Sequence, residues 1–286
     1  MLRRGAVSFG RAMALLVVVL VACSHVEAPA QSSAGAGSGG AGGSAVVACP
    51  ESPDTWPMVG VLRGDGSSFC IDSREVTNEQ YAAFLARAPV VALLPRCVES
   101  PDRTPKESWP PTPERARHPV GAVDWCDAQA FCLASGKRLC GDATGNIVSL
   151  TYDDGNKTEV ELDEDTTMET WVACTGDGAT IHPYGNEYLE GACPYAQFEE
   201  TVAADADSGC DGGYEGIHFL EGNVQEWEAR CKFEVTGEGL SGAACTTRGT
   251  YACGANRIDT GMHGAGVTDW TRYSGIRCCA DALSLD

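Results

Sequence analysis

Residues 69–81 read Phe-Cys-Ile-Asp-Ser-Arg-Glu-Val-Thr-Asn-Glu-Gln-Tyr and contain a clear helix start. Thr77 and Gln80 stand at the N-cap and N3 positions of a capping box, which satisfies two otherwise free N–H groups. From residue 81 to residue 88, apolar side chains recur at i, i+3, i+4 and i+7, the pattern of one buried helix face. Pro89 ends the pattern. The stretch therefore predicts an amphipathic helix from about residue 78 to residue 88.

A second helix is predicted where Asp124 acts as N-cap and Asp127 stands at N3, near the positive end of the helix dipole. Trp125, Ala128 and Cys132 share one face, and Gly136 is the expected left-handed stop. Later in the chain, short strands are expected at 222–227, 247–253 and 275–279. Residues 141–170 are acidic and lack a helical period, which favours a solvated insertion.

These landmarks resemble the formylglycine-generating enzyme family, also called sulfatase-modifying factors. The family pattern HPVxxVSWxDAxAYCxWxGKRLP is similar to residues 118–139, and the opening stretch is similar to YxIDxxEVTNxQYxxF. The resemblance covers about residues 55–281. It implies an α+β fold: a single irregular domain of the formylglycine-generating-enzyme type, a C-type-lectin-like variant with low regular secondary structure. The 34 glycines and 14 prolines agree with a loop-rich, disulfide-rich chain. Further matching blocks lie at 171–174, 183–186, 222–227, 248–251 and 275–278.

The charge balance excludes one class of partner. The chain has 20 Lys and Arg against 40 Asp and Glu, a formal net charge of −20. A field of this sign repels phosphate backbones, so nucleic-acid binding is not expected.

The first residues are typical of export. Three arginines precede an apolar run that ends at residue 22 and is too short to span a bilayer. Residues 20–23, Leu-Val-Ala-Cys, resemble the lipobox of bacterial lipoproteins, which predicts cleavage of residues 1–22 and lipidation of Cys23. An ordinary signal peptide with an incidental cysteine is the alternative. Residues 23–48 are a Gly/Ser/Ala-rich tether, so residues 49–286 form the folded domain. We expect a lipid-anchored protein, most simply at the outer membrane.

Fifteen cysteines indicate an oxidising compartment. Without Cys23, fourteen remain, which allows up to seven disulfides. The resemblance implies a bridge between Cys132 and Cys278, and a separate prediction pairs Cys126 with Cys279. Proximity in sequence alone favours two more bridges, Cys193–Cys210 and Cys231–Cys245.

The resemblance also bears on catalysis. Active members oxidise a substrate cysteine to formylglycine with copper(I) held by two cysteines. Here Cys253, next to Thr250 and Tyr251, matches the first ligand, but Ile258 stands at the second. Because one thiolate holds Cu(I) poorly, copper is not expected as a cofactor. We expect Cys253 to be structural, bridged to Cys97 or Cys245.

Calcium is the second metal that the resemblance suggests. Gly222 and Val224 carbonyls and the Glu226 carboxylate match a family calcium site, although Phe219 replaces an Asn or Asp ligand. Hard Ca²⁺ prefers six to eight oxygens, so a weakened site is expected. The alternating carboxylates of 205–211 are the other candidate, with a solvated acidic loop as the simpler interpretation.

Three functions remain. The first is a membrane-anchored lipoprotein whose non-catalytic domain, a pseudoenzyme, binds an unknown protein or glycan or supports the envelope. The second is an active oxidase that converts a sulfatase cysteine to formylglycine, and the third is a calcium-dependent lectin-like binder.

Overall fold

The computed structural model describes residues 47–93, 97–98, 101–142, 148–149, 166–194, 200–207, 209–236, 239–249, 252–253, 256–258 and 272–284. The predicted signal peptide, Cys23 and most of the tether lie outside these residues. Within them, no helix combines the length and the apolar character that a membrane span requires.

Among the described residues, three α-helices and one short 3₁₀ helix have defined bounds. They are α1 (Asn78–Arg87), the 3₁₀ helix (Pro113–Arg115), α2 (Trp125–Ala134) and α3 (Glu169–Thr175). The capping box of α1 is confirmed: the Gln80 amide donates to Thr77 Oγ1 at 3.3 Å, and the Thr77 amide donates to Gln80 Oε1 at 2.9 Å. The second capping box, between Asp124 and Asp127, is also present.

In the part of the chain that the structure describes, nine strands form two sheets: β1 (Met58–Leu62), β2 (Ser68–Asp72), β3 (Arg138–Leu139), β4 (Val148–Ser149), β5 (Gln225–Thr236), β6 (Gly239–Arg248), β7 (Asn256–Ile258), β8 (Ser274–Gly275) and β9 (Cys278–Asp281). The first sheet is antiparallel in the order β1-β2-β9-β3. The second has the order β4-β5-β6-β7, and β8 pairs in parallel with β5.

The predicted short strands are wrong in the second sheet. One long antiparallel hairpin, β5–β6, replaces the expected strands at 222–227 and 247–253. The sequence carried a signal for it, because apolar residues alternate with polar ones from residue 227 to residue 235. Pairing of Cys231 with Cys245 across the hairpin fixes its register.

The main core lies between α1, α2 and the hairpin. Tyr81 stacks on Phe131 with ring centroids 5.8 Å apart, and Phe84 packs edge-on against Phe131 at 5.5 Å. Trp125 and Trp227 are almost fully buried in the same cluster. Burial of each large apolar side chain contributes about 1.5–3 kcal/mol, so these aromatic residues anchor the helices to the sheet.

Seven disulfides join the described cysteines. The Cys132–Cys278 bridge implied by the resemblance is present, as are Cys193–Cys210 and Cys231–Cys245. The others are Cys49–Cys70, Cys97–Cys126, Cys140–Cys279 and Cys174–Cys253.

The predicted Cys126–Cys279 bridge is wrong. Successive residues of a strand point to opposite faces. Cys278 therefore joins the core cluster of α2, while Cys279 packs in the second cluster with α3. Cys279 cannot reach α2 from that side, and Cys140 after β3 is its partner.

The acidic insertion is shorter than predicted. Helix α3 begins at Glu169, and Met168, Glu169 and Thr170 are buried. Arg138 neutralises Glu169 through two hydrogen bonds of 2.6 and 2.7 Å, so this acidic residue is a core residue. Residues 150–165 lie outside the described residues.

Candidate functional site

The loop of residues 219–224, called the cradle loop below, concentrates unusual backbone conformations. Phe219, Gly222 and Asn223 all have positive φ, at 56°, 84° and 51°. A bulky residue such as Phe rarely adopts this conformation, which costs of order 1–3 kcal/mol and recurs at functional sites. Phe219 is fully buried, so packing holds the loop in this form.

Three oxygen atoms converge beside Gly249, at a place called the oxygen cradle below. A Cβ atom built on Gly249 would lie 3.1 Å from Glu226 Oε2, 3.3 Å from the Val224 carbonyl and 3.4 Å from the Leu220 carbonyl. Gly249 has φ of +106°, and its carbonyl accepts a 2.7 Å hydrogen bond from the Gly222 amide. The absence of a side chain at residue 249 leaves this space to the oxygens.

The carboxylate of the cradle is deeply buried. Glu226 Oε1 accepts from Arg277 Nε at 3.0 Å, which leaves Oε2 facing the cradle. Burial is the main cause that raises the pKa of Glu226 to about 7, against the opposing effect of Arg277. Glu75 accepts from Asn223 Nδ2 at 2.7 Å and from the Val224 amide at 3.2 Å. Burial, and then the charge of Glu226, raises the pKa of Glu75 well above its usual range.

Ion pairs surround the buried carboxyl groups near the cradle. Lys137 pairs with Asp72, Arg277 with Glu226 and Arg248 with Glu228. Glu75 accepts hydrogen bonds from two uncharged donors, the Asn223 side chain and the Val224 amide.

These features fit a hard divalent cation. The donors are all oxygens, which Ca²⁺ prefers, and one of them belongs to the Glu226 carboxyl group. Leu220, Val224 and Glu226 are the residues that would hold it. Bound calcium would tie the cradle loop to the end of β6, a structural contribution. Two of the predicted ligand residues, Val224 and Glu226, meet here. The amide of the third, Gly222, donates to the Gly249 carbonyl, and its predicted role as a carbonyl ligand stays a prediction.

Sequence reasoning missed Leu220 and Gly249. A main-chain carbonyl leaves no mark in the residue type, so Leu220 gave no signal. Gly249 belongs to the family block at 248–251, but its role depends on how closely the cradle loop approaches it in the fold, which the sequence does not show. In the acidic segment 205–211, two of the carboxylates have partners elsewhere: Asp205 pairs with Arg117 at 2.5 Å, and Asp211 pairs with His218.

The cysteine at the position of the family's first copper ligand is in a disulfide. Cys253 is fully buried and bonded to Cys174, not to Cys97 or Cys245 as predicted. Arg248 Nη1 donates to the Cys253 carbonyl at 2.7 Å, which fixes the backbone there. Thr250 and Tyr251 lie outside the described residues, and Ile258 ends β7.

The family profile described as "Sulfatase-modifying factor enzyme 1-like domain" matches residues 43–282. The chain belongs to this sulfatase-modifying factor family. Among solved structures, the chain is similar to "Crystal Structure of CarF", with 18% identity, a TM-score of 0.45 and coverage of 76% of this chain and 87% of that one. It is also similar to "Major Tropism Determinant P3c Variant", with 13% identity, a TM-score of 0.35 and coverage of 81% and 55%. A search of curated proteins found no match.

Copper chemistry of the family does not fit the residues present. A sulfur atom in a disulfide has no thiolate to offer, and isoleucine has no donor atom. A second sulfur cluster, Cys140 and Cys279 with Glu169, is also unsuited to a metal. The two sulfurs are joined in a disulfide, and the Glu169 carboxylate forms a salt bridge with Arg138.

Proposed function

We propose that this sulfatase-modifying factor domain is non-catalytic and serves as a binding or envelope-structural module, anchored to the outer membrane through lipidated Cys23. The observation that carries the proposal is the Cys174–Cys253 bridge. It uses the one cysteine that matches a copper ligand, in a place where both sulfurs are fully buried. The scaffold around it is intact, with a packed core and seven disulfides.

A disulfide map of the full chain tests this proposal. The protein is produced in an oxidising compartment, denatured, alkylated and digested for mass spectrometry. We expect Cys253 linked to Cys174 and no Cu(I) bound by the native protein. We also expect no oxidation of a Cys-x-Pro-x-Arg peptide. A free Cys253 thiol together with peptide oxidation would establish the oxidase instead.

A pair of variants makes the copper test sharper. Combining Cys174→Ser with Ile258→Cys removes the Cys174–Cys253 disulfide and leaves two free cysteines, at positions 253 and 258, with the spacing of the family's copper ligands. We expect this double variant to gain Cu(I) binding that the native protein lacks, because two thiolates hold the soft ion. Cys174→Ser alone is the matched control, and we expect weak binding from its single thiolate. Equal Cu(I) binding by all three proteins would refute the idea that the Cys174–Cys253 disulfide prevents copper binding.

The anchor needs a separate test. Radiolabelled palmitate should enter the native chain and not the Cys23→Ser variant, because stable anchoring requires covalent acyl chains. Label in both proteins, or in neither, would favour an ordinary signal peptide.

Calcium-dependent binding is the second candidate, favoured by the oxygen cradle. A ligand that binds only the folded state raises the melting temperature with its concentration. We expect millimolar Ca²⁺ to raise it and Mg²⁺ to do so less, because Mg²⁺ demands tighter octahedral geometry.

A further inference from the structure

A cleft of about 670 Å³ lies next to the cradle loop and is called the proline cleft below. Val224 belongs to both, since its carbonyl faces the cradle and the residue lines the cleft. The lining also comes from residues 107–112, from the segment around Pro119 and from Arg272 and Tyr273. Cavities of this size are typical of small-ligand sites.

The walls of the proline cleft are held in place by its backbone. Ser108 and Ala122 line it and have positive φ of 55° each, although neither is glycine. The Lys106 amide donates to the Ala122 carbonyl at 2.9 Å, which joins two of the lining segments. A Cβ on Gly121 would lie only 2.6 Å from the Arg272 carbonyl, so glycine allows the third segment to approach. The cleft is therefore formed before any ligand arrives, which lowers the entropic cost of binding.

The charges of the cleft cancel in pairs. Arg272 Nε lies 2.8 Å from Glu107 Oε2, and Arg115 Nη1 lies 3.1 Å from Glu200 Oε2. Both pairs are solvent-accessible and place N–H donors beside carboxylate acceptors. Two arginines and two glutamates give no net charge, in a chain whose net charge is −20. Such a lining favours an uncharged ligand with groups that both donate and accept hydrogen bonds.

The prolines argue against an extended peptide. Four prolines line the cleft, at positions 105, 110, 111 and 119. Proline has no N–H group, so these residues cannot donate to the main chain of a bound strand. Their carbonyls can accept from hydroxyl groups.

Two half-buried aromatic rings complete the lining. Trp109 packs edge-on against Tyr81 with ring centroids 5.9 Å apart, and Tyr273 directly precedes β8. Trp and Tyr offer an apolar face together with a polar group, so they can cover the C–H face of a ring while hydroxyls meet the ion pairs.

We propose that the proline cleft binds an uncharged saccharide of cell-envelope or extracellular glycans. The inference rests on the proposed function, since it gives the binding module its ligand class. Aromatic rings would contact the apolar face of a sugar ring, and the Arg–Glu pairs and proline carbonyls would contact its hydroxyls.

The test uses the full chain and a panel of neutral oligosaccharides at millimolar concentration, followed by calorimetric titration of those that bind. An acidic oligosaccharide and a proline-rich peptide serve as probes of other classes. Tyr273→Ala should weaken binding of a neutral oligosaccharide by about tenfold, the loss of one aromatic contact. Trp109→Phe should weaken it less, because a ring remains. The matched control is Tyr188→Ala, at an exposed tyrosine outside the cleft lining, and it should bind as the native chain does.

The outcomes separate the two proposals. Binding of a neutral oligosaccharide that Tyr273→Ala weakens and Tyr188→Ala leaves unchanged supports the inference. It is overturned if no neutral oligosaccharide binds, if only the acidic probe or the peptide binds, or if Tyr273→Ala has no effect. In each of those cases a closed Cys174–Cys253 bridge without peptide oxidation still supports a non-catalytic module. Oxidation of the Cys-x-Pro-x-Arg peptide would instead remove the proposed function itself.

Discussion

Replacing Asp124 by serine should change how the stability of the protein depends on pH. Asp124 is the fully buried N-cap of α2, and its Oδ1 accepts from the Asp127 amide at 2.8 Å. Its Oδ2 has no hydrogen-bond partner among the described residues. Burial, and then the charge of Asp127, raises the pKa of Asp124 from 3.8 to about 7. The folded chain therefore binds this proton more tightly than the unfolded chain does.

The size of the effect follows from the pKa difference. A rise of about three units corresponds to about 4 kcal/mol of stability that depends on pH. The neutral carboxyl contributes this fully below about pH 4, where the unfolded carboxyl is also protonated. The contribution is lost as the pH rises through about 7, because the buried carboxylate must then ionise. Serine keeps the N-cap hydrogen bond and removes the ionisable group.

The free energy of unfolding at each pH is measured by guanidinium unfolding of the oxidised full chain, followed by tryptophan fluorescence. Asp124→Ser should be more stable than the native chain by up to about 4 kcal/mol near pH 8, and similar to it near pH 4. The control is Asp102→Ser, at an exposed carboxylate whose pKa is lowered by hydrogen bonds from Thr104. That variant should lose stability at the higher pH. If native and Asp124→Ser stabilities ran parallel across this range, the buried carboxylate would not be the cause.

Two further predictions concern the candidate site. Gly249→Ala would place a methyl group 3.1 Å from Glu226 Oε2 and should abolish any calcium-dependent rise in melting temperature. Gly66→Ala is its control, since Gly66 also has positive φ, at 87°, but open space around it; a calcium response that survives in Gly249→Ala would exclude the cradle. Replacing Cys174 and Cys253 together by serine opens a bridge with a sequence separation of 79 residues. By the chain-entropy relation this should cost about 4.5 kcal/mol of unfolding free energy, and an unchanged guanidinium midpoint would contradict a structural role for the bridge.

Local signals in the sequence were sufficient for α1 and α2, whereas α3, which begins at Glu169 inside the predicted insertion, was missed. Each capping box consists of residues three positions apart, so Thr77 with Gln80 and Asp124 with Asp127 were visible without any tertiary contact. The family motifs were enough to indicate the fold, because they preserve the order of many blocks along most of the chain. The long hairpin was missed, although its alternating pattern was present in residues 227–235.

The cysteine pairing shows what lies beyond local signals. The sequence has fourteen cysteines beyond Cys23, an even number, and the structure joins all fourteen in seven disulfides. Which cysteine meets which depends on the side of each strand and helix that faces the other. Cys278 and Cys279 are neighbours in the chain, yet their partners belong to different core clusters.

The sequence by itself determined the net charge, the starts of α1 and α2 and the loss of the second copper-ligand position at Ile258. Each of these depends on residue type at one position or within one turn of a helix. Only the tertiary structure decided that Cys253 bonds to Cys174 and that two main-chain carbonyls join Glu226 beside Gly249. Those contacts join residues far apart in the chain, and main-chain oxygens look the same in every residue. Chain packing, which the residue types specify only collectively, therefore determines the geometry of the site.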